Sequence, residues 1–200
     1  AATPEVIRRL RNDCGGLLFL AIGNEIGEMF GLPWLQDIHS HESLVAENPV
    51  LGHLVTNDLQ YDSRSAFTLS LNHRETYTGI TDRDRSLTTR RFGELSGELI
   101  ENGEDGAKAK ESLGKEFRTP GHIPVCRESP GGLKTRQGHT ELAVSIARLA
   151  GLTACTIGAE MLEPEGDGAL SLEGARAYAS KYGIPMITGE QISTIFNEKD

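Results

Sequence analysis

The feature that most constrains this fold is a run of six apolar residues, Leu17 to Ile22, that directly follows an amphipathic segment. That segment begins at Thr3-Pro4, a threonine N-cap with proline at the first helical position, and ends at Gly15-Gly16. A short continuous apolar run bounded in this way is typical of a buried strand. The sequence therefore predicts a helix followed at once by a buried strand.

Helices and strands are predicted to alternate along the rest of the chain, with a long irregular excursion over residues 36–64. The predicted helices span about 23–31, 86–100, 107–117, 139–150, 172–182 and 189–198; the strands span 66–72, 123–127, 152–159 and 184–188; turns fall at 77–85, 102–106, 129–132 and 163–168. Because the connections differ in length, these elements predict an α/β or α+β single domain over residues 1–200 with a mixed sheet.

Composition and charge exclude some classes of partner. The chain has 29 acidic and 20 basic residues, a net charge of −9, and a nucleic-acid binder would need a basic face. No apolar run of membrane-spanning length is present. Three cysteines without a CxxC pair indicate free thiols in a reducing compartment. We therefore expect a cytoplasmic protein with neither nucleic-acid nor membrane partners.

Two Gly-His pairs are the strongest functional signal. Arg118-Thr119-Pro120-Gly121-His122 is followed, fourteen residues after its histidine, by Arg136-Gln137-Gly138-His139-Thr140-Glu141, which opens a predicted helix. The start of a helix offers free N–H groups and positive dipole character to an anion, and arginine offers a planar fork to phosphate oxygens. Two capped turns with surface histidines are the simpler interpretation of each pair alone. Together the two pairs favour a phosphate-handling active site.

Two further segments carry polar groups suited to such a site. Thr78-Gly79-Ile80-Thr81-Asp82 lies between a predicted strand and helix, where its hydroxyls can bond sugar or phosphate oxygens, although a turn with an N-cap explains it equally. Glu160 directly follows a predicted apolar strand, the position of a candidate acid/base or of an ordinary edge residue.

These segments resemble the 3,4-dihydroxy-2-butanone 4-phosphate synthase family, most closely its archaeal branch. The resemblance runs from about residue 3 to the C-terminus. Besides the segments above, it rests on Asp13-Cys14-Gly15-Gly16-Leu17, Gly31-Leu32-Pro33, Leu149-Ala150-Gly151-Leu152 and Glu160-Met161.

The resemblance implies a three-layer α-β-α fold of the α+β class and a homodimer with sites at the subunit interface. It implies a lyase that uses Mg²⁺ or Mn²⁺ and converts D-ribulose 5-phosphate to L-3,4-dihydroxy-2-butanone 4-phosphate and formate. The implied acid/base pair is His122 and Glu160, and His139 is the implied metal ligand. The implied substrate contacts are Arg136, Gln137, Gly138, His139, Thr140 and Glu160, with Thr78, Thr81 and Asp82 at the sugar.

This sequence differs from the family pattern in two places. The family has a strand and an acidic loop ahead of the helix that begins here at Thr3, and a cysteine where Phe19 stands. We therefore expect the sequence to be an incomplete record of the full enzyme. A non-catalytic phosphate-binding or dimerisation module, and a phosphosugar isomerase or aldolase, stay open as alternatives.

Overall fold

The computed structural model describes residues 2–60, 62, 64–104 and 106–199. In chain order its elements are α1 (Pro4–Cys14), β1 (Gly15–Ile22), α2 (Asn24–Phe30), α3 (Leu35–His39), α4 (Glu42–Glu47), α5 (Val50–His53), β2 (Leu71–His73), α6 (Asp82–Glu101), α7 (Gly106–Glu116), β3 (Phe117–Ile123), β4 (Val125–Arg127), a 3₁₀ turn (Gly132–Lys134), α8 (His139–Leu149), β5 (Cys155–Met161), α9 (Leu172–Tyr182) and α10 (Gly189–Lys199).

The predicted helix–strand start is confirmed. The Thr3 hydroxyl accepts from the N–H of Val6 and caps α1. Gly15 ends the helix in the left-handed conformation, at φ 76°, which glycine adopts without a Cβ clash. The chain then enters β1, whose side chains from Leu18 to Ile22 are all buried.

β1 is the central strand of a mixed sheet. Within the described residues the strand order is β4-β1-β5, with β4 parallel and β5 antiparallel to β1. The register sets Leu20 opposite Val125 on one side, and Phe19 opposite Gly158 on the other. The predicted α+β class with a mixed sheet is confirmed.

Helices cover both faces of this sheet, which gives the three layers. Leu20 and Cys155 face α6, where a Cβ on Gly93 would lie 3.6 Å from the Cys155 sulfur. On the opposite face the Phe19 ring packs edge-on against the ring of His139 at the start of α8, with centroids 4.9 Å apart. The buried core therefore holds the start of α8 against the middle of β1.

A second ladder, β2 with β3, carries a large bulge. Between the pairs Asn72↔Arg118 and Leu71↔Ile123, β2 advances by one residue while β3 advances by five. The segment 119–122 therefore loops out of the ladder. Bulges of this kind re-aim side chains and are common beside active sites.

The predicted irregular excursion over 36–64 is wrong for residues 36–53, most of which are helical, whereas residues 54–60, 62 and 64 are irregular as predicted. Tyr61 and Ser63 lie outside the described residues. Helices α3, α4 and α5 occupy much of it. Each has four to six residues and buries no side chain, so none creates the long apolar periodicity by which a helix is recognised in sequence.

Two predicted strands are also wrong. Of the predicted strand 66–72, only the last two residues belong to β2. Phe67 makes a single bridge to Cys126, and the Thr68 hydroxyl donates to the carbonyl of Pro33. Segment 184–188 is a connection between α9 and α10. The Ile184 N–H donates to the carbonyl of Ala179 at the end of α9, and Pro185 has no N–H to donate to a neighbouring strand.

The remaining predictions differ mainly in their bounds. β3 was not predicted before residue 123, and α6 begins four residues before the predicted Ser86. β5 ends at Met161, so Glu160 lies inside a strand and not after one. Of the predicted turn 102–106, Asp105 lies outside the described residues.

Candidate active site

The start of α8 is open to an anion. Gly138 is the N-cap in an extended conformation, at φ −87° and ψ 170°, and no side chain caps it. His139 is the first helical residue, and it and Gln137 are exposed. The N–H groups of the first turn have no intrahelical acceptor, so they and the helix dipole favour a bound anion here.

Arg136 lies beside this helix start, and three of its five N–H donors are bonded to carboxylates. Its Nε and one Nη donate to both carboxylate oxygens of Asp62, at 2.9 and 2.8 Å, and its other Nη donates to Glu141. These bonds lower the pKa of Asp62 and raise that of Arg136. A Cβ on Gly138 would stand 2.0 Å from the guanidinium, so glycine there lets the cation lie against the backbone.

The last two residues of the motif, Thr140 and Glu141, point into the core. Thr140 and Glu141 are fully buried, and Glu141 also accepts from the N–H of Ser129 at 2.9 Å. The Thr140 hydroxyl lies beside the thiol of Cys126. Burial raises the pKa of that thiol to about 12, so Cys126 is a packing residue and not a nucleophile.

Glu160 is exposed on β5, on the face that carries α8. It lies two residues beyond Gly158, which pairs with Phe19, and the Phe19 ring touches His139. One Glu160 oxygen accepts a long bond, 3.4 Å, from the N–H of Leu17. Alternate residues of a strand share a face, so the carboxylate and the start of α8 lie on one side of the sheet.

His122 projects from the bulge of β3 and is exposed. Its backbone N–H donates to Oδ1 of Asn72 at 2.8 Å, and its ring Nδ1 lies 3.2 Å from Asn72 Nδ2. The preceding Gly121 packs directly on β2, where a Cβ would stand 1.9 Å from the carbonyl carbon of Leu71.

His122 and Glu160 lie toward the same end of β1. The parallel pairing of β4 with β1 begins at Leu20↔Val125, and the Leu20 N–H also donates to the carbonyl of Pro124, so His122 comes just before these pairs. On the other side of β1, Glu160 lies on antiparallel β5 at the register shift between Leu18↔Ala159 and Gly15↔Met161. An imidazole and a carboxylate therefore flank the N-terminal part of β1.

The segment from Thr78 to Asp82 is already bonded to other parts of the protein. The Thr81 hydroxyl caps α6 by accepting from the N–H of Asp84, and Asp82 accepts two bonds from Arg11 at 2.9 and 3.0 Å, which lower the pKa of Asp82. The Thr78 carbonyl accepts from Asn72 at 3.3 Å, which ties this turn to His122.

Arg118, the arginine of the first Gly-His segment, does not face an anion site. Its guanidinium donates to the carbonyls of Arg74 and Thr76 at 2.9 and 3.0 Å and holds the turn after β2. No sequence motif marks Asn72 or Asp62, because each bonds to a partner 50 residues or more away along the chain.

The side chains of the described residues do not form a divalent-cation site by themselves. None of them are grouped as three histidines, cysteines or carboxylates around one point. His139 lies close enough to Asp62 to lower its pKa, but Arg136 already holds that carboxylate. Hard cations take most of their ligands from oxygen atoms, so His139 could supply only one ligand of such a site.

Comparison with known proteins shows the family of the chain. The family model described as 3,4-dihydroxy-2-butanone 4-phosphate synthase matches residues 1–195. The synthase of Methanothermobacter thermautotrophicus is 38% identical over 195 residues, covering 98% of this chain and 80% of that protein. The synthase of Archaeoglobus fulgidus is 40% identical, covering 93% and 75%.

Solved structures give the same fold. A Candida albicans synthase superposes with a TM-score of 0.69 at 26% identity, covering 98% of this chain and 81% of that one. A synthase in complex with two magnesium ions superposes with a TM-score of 0.66 at 24% identity, covering 96% and 78%. No helix among the described residues combines the length and apolarity needed to cross a bilayer. Because the family model matches nearly the whole chain, the chain belongs to the 3,4-dihydroxy-2-butanone 4-phosphate synthase family of enzymes.

Proposed function

We propose that this protein is a carbon–carbon lyase that converts D-ribulose 5-phosphate to L-3,4-dihydroxy-2-butanone 4-phosphate and formate, a step of riboflavin biosynthesis. Membership of the synthase family supports the proposal. The observation that links this activity to a site is that His122 and Glu160 flank the N-terminal part of β1, near the open start of α8.

The substrate phosphate is proposed to bind at the start of α8. The N–H groups from Gly138 to Thr140 supply uncapped donors, and Arg136 supplies the cation. Asp62 holds the Arg136 fork here, so the phosphate takes over donors that a carboxylate now occupies. Gln137 and His139 are exposed beside the same turn and complete the proposed phosphate contacts.

His122 and Glu160 are the proposed acid/base pair. Enolisation of a ketose needs one group to take a proton from carbon and another to give one to the carbonyl oxygen, and an imidazole and a carboxylate serve these roles. Both side chains are exposed and can reach a substrate. Thr78, Thr81 and Asp82 are proposed to line the sugar end, with the Thr78 turn bonded to Asn72 as support.

We propose that the protein uses a divalent cation, Mg²⁺ or Mn²⁺, because it resembles a synthase whose structure contains two magnesium ions. When bound, it would polarise the substrate carbonyl. His139 is the proposed protein ligand. We also propose a cytoplasmic homodimer of single-domain subunits; the free thiols of Cys14, Cys126 and Cys155 support a reducing compartment.

Formate release from ribulose 5-phosphate tests the proposal. We expect formate with added Mg²⁺ or Mn²⁺ and none with EDTA. Glu160→Gln should lower the rate by at least about 10²-fold, since it removes a proton-transfer group. Glu163→Gln, the same change in the acidic turn after β5, should leave it unchanged.

Each alternative has its own outcome. Ribose or xylulose 5-phosphate in place of formate would indicate an isomerase and refute the lyase. Binding of ribulose 5-phosphate without turnover, with and without metal, would indicate a non-catalytic module. Formate release at the normal rate from Glu160→Gln would leave the lyase standing and remove Glu160 from the acid/base pair.

A further inference from the structure

We propose that Asn72 is a positioning residue that fixes the proton of the neutral His122 ring on Nε2. The inference rests on the proposed function in one respect, the use of His122 in proton transfer. It assigns His122 the role of the acid, which gives a proton from Nε2. Glu160 is then the group that takes a proton from carbon.

The neighbours of the Asn72 amide fix its orientation. The His122 backbone N–H can only donate, so the atom 2.8 Å from it is the amide oxygen. The Thr78 carbonyl can only accept, so the atom 3.3 Å from it is the amide nitrogen. The two bonds require the same orientation. In a flipped amide, the NH₂ group would face the His122 N–H and the amide oxygen would face the Thr78 carbonyl.

The orientation of the amide determines the ring tautomer. The amide nitrogen also faces Nδ1 of His122 at 3.2 Å, and an NH₂ group has only protons to offer. Nδ1 must therefore accept, and the neutral ring carries its proton on Nε2. A proton on Nδ1 would meet the amide protons head-on.

The amide is held rigidly. Asn72 is 3% exposed and lies on β2 at the edge of the bulge. Gly79, at φ 89°, lets the turn after β2 close on it, since a Cβ there would stand 2.2 Å from the amide nitrogen. One buried side chain thus joins the Thr78 turn to both the backbone and the ring of His122.

The ring tautomer can be measured without activity. In the ¹⁵N-labelled protein at a pH where His122 is neutral, we expect the ring ¹⁵N shifts of a protonated Nε2 and an unprotonated Nδ1. Asn72→Asp keeps the shape and the bond to the backbone N–H but removes the donor, so the proton should move to Nδ1. A wild-type ring with its proton on Nδ1 would overturn the inference without any variant.

The kinetic effect should fall on kcat. With the proton on the wrong nitrogen, Asn72→Asp should lose about 10²-fold in kcat with KM within about twofold of wild type. The control is Asn48→Asp, the same change at the exposed end of α4, which should have no effect. Asn72→Leu removes both bonds to His122 and should lower kcat similarly.

The outcomes separate this inference from the proposed function. No formate from the wild type, or full activity of His122→Ala, refutes the acid role of His122; the tautomer spectra would still decide what Asn72 does. An active wild type with an inactive His122→Ala, alongside Asn72→Asp with normal kcat and an unchanged tautomer, refutes the role of Asn72. Circular dichroism must show that each variant is folded, and if Asn72→Asp fails to fold, the wild-type spectrum decides.

Discussion

Gly121 is the position where one methyl group should do most damage. A Cβ there would stand 1.9 Å from the carbonyl carbon of Leu71 and 2.3 Å from the backbone nitrogen of Asn72. Ordinary contact begins near 3.4 Å, so Gly121→Ala requires a separation of about 1.5 Å. Both obstacles are backbone atoms, so no side-chain rotation relieves the overlap.

The cost has two parts. Overpacking of this kind destabilises by about 1–3 kcal/mol, which for a chain of this size lowers the melting temperature by about 2–12 °C. Because His122 is the next residue, the displacement also moves its ring. With His122 in its proposed acid role, a shift of about 1 Å costs about 10²-fold in rate.

The control is the same substitution at Gly114 in α7. That glycine is exposed, and a Cβ there meets nothing within 4 Å. Gly114→Ala should raise stability by about 0.5 kcal/mol, because alanine loses less backbone entropy in a helix, and leave formate release unchanged. The two variants should therefore shift the melting temperature in opposite directions.

Thermal unfolding by circular dichroism and formate kinetics measure both effects. The reasoning is refuted if Gly121→Ala melts within about 1 °C of the wild type and turns over at the normal rate. Loss of stability with full kcat would show that the bulge tolerates the shift and that His122 does not depend on it.

Three further predictions concern charged groups. Arg136→Ala should raise KM for ribulose 5-phosphate and also destabilise by about 3 kcal/mol in urea unfolding, because it leaves the buried Glu141 carboxylate without its cation; unchanged stability would contradict this. Glu116→Gln should lower the free energy of unfolding by about 1 kcal/mol at pH 7. The bonds from Arg91 lower the folded-state pKa of Glu116. The stabilisation is therefore present above the usual pKa of about 4.3 and is lost as the pH falls through the lower folded-state value. A cost that persists at pH 2 would contradict it. His139→Ala should abolish the stimulation of formate release by Mg²⁺, and a normal metal titration would remove His139 as a ligand.

Local patterns predicted the elements that their own residues determine. The Thr3-Pro4 start of α1, the apolar run of β1 and the Gly-His start of α8 each carry their signal within a few residues, and all three are confirmed. Helix α9, predicted over 172–182, has those bounds in the structure. Such signals depend on capping and burial pattern alone.

Elements that depend on distant partners were missed. β3 passes through Thr119-Pro120-Gly121, which in sequence indicates a turn, and becomes a bulged strand only because β2 lies beside it. Asn72 and Asp62 carry no motif, and their parts in the candidate site come from bonds across 50 and 74 residues. The motif from Arg136 to Glu141 is visible in the sequence, but the bonds from Arg136 to Asp62 are not.

The Asp62–Arg136 pair has a consequence for how an anion enters. If phosphate binds at Arg136 as proposed, one anion replaces another there, so the free energy of binding includes the difference between two ion pairs. A small monovalent anion such as chloride gains little by replacing a two-pronged carboxylate, whereas a phosphate ester can match both prongs and add the helix N–H groups. At the proposed phosphate site, the Asp62–Arg136 ion pair would therefore favour ligands that also bond to the start of α8.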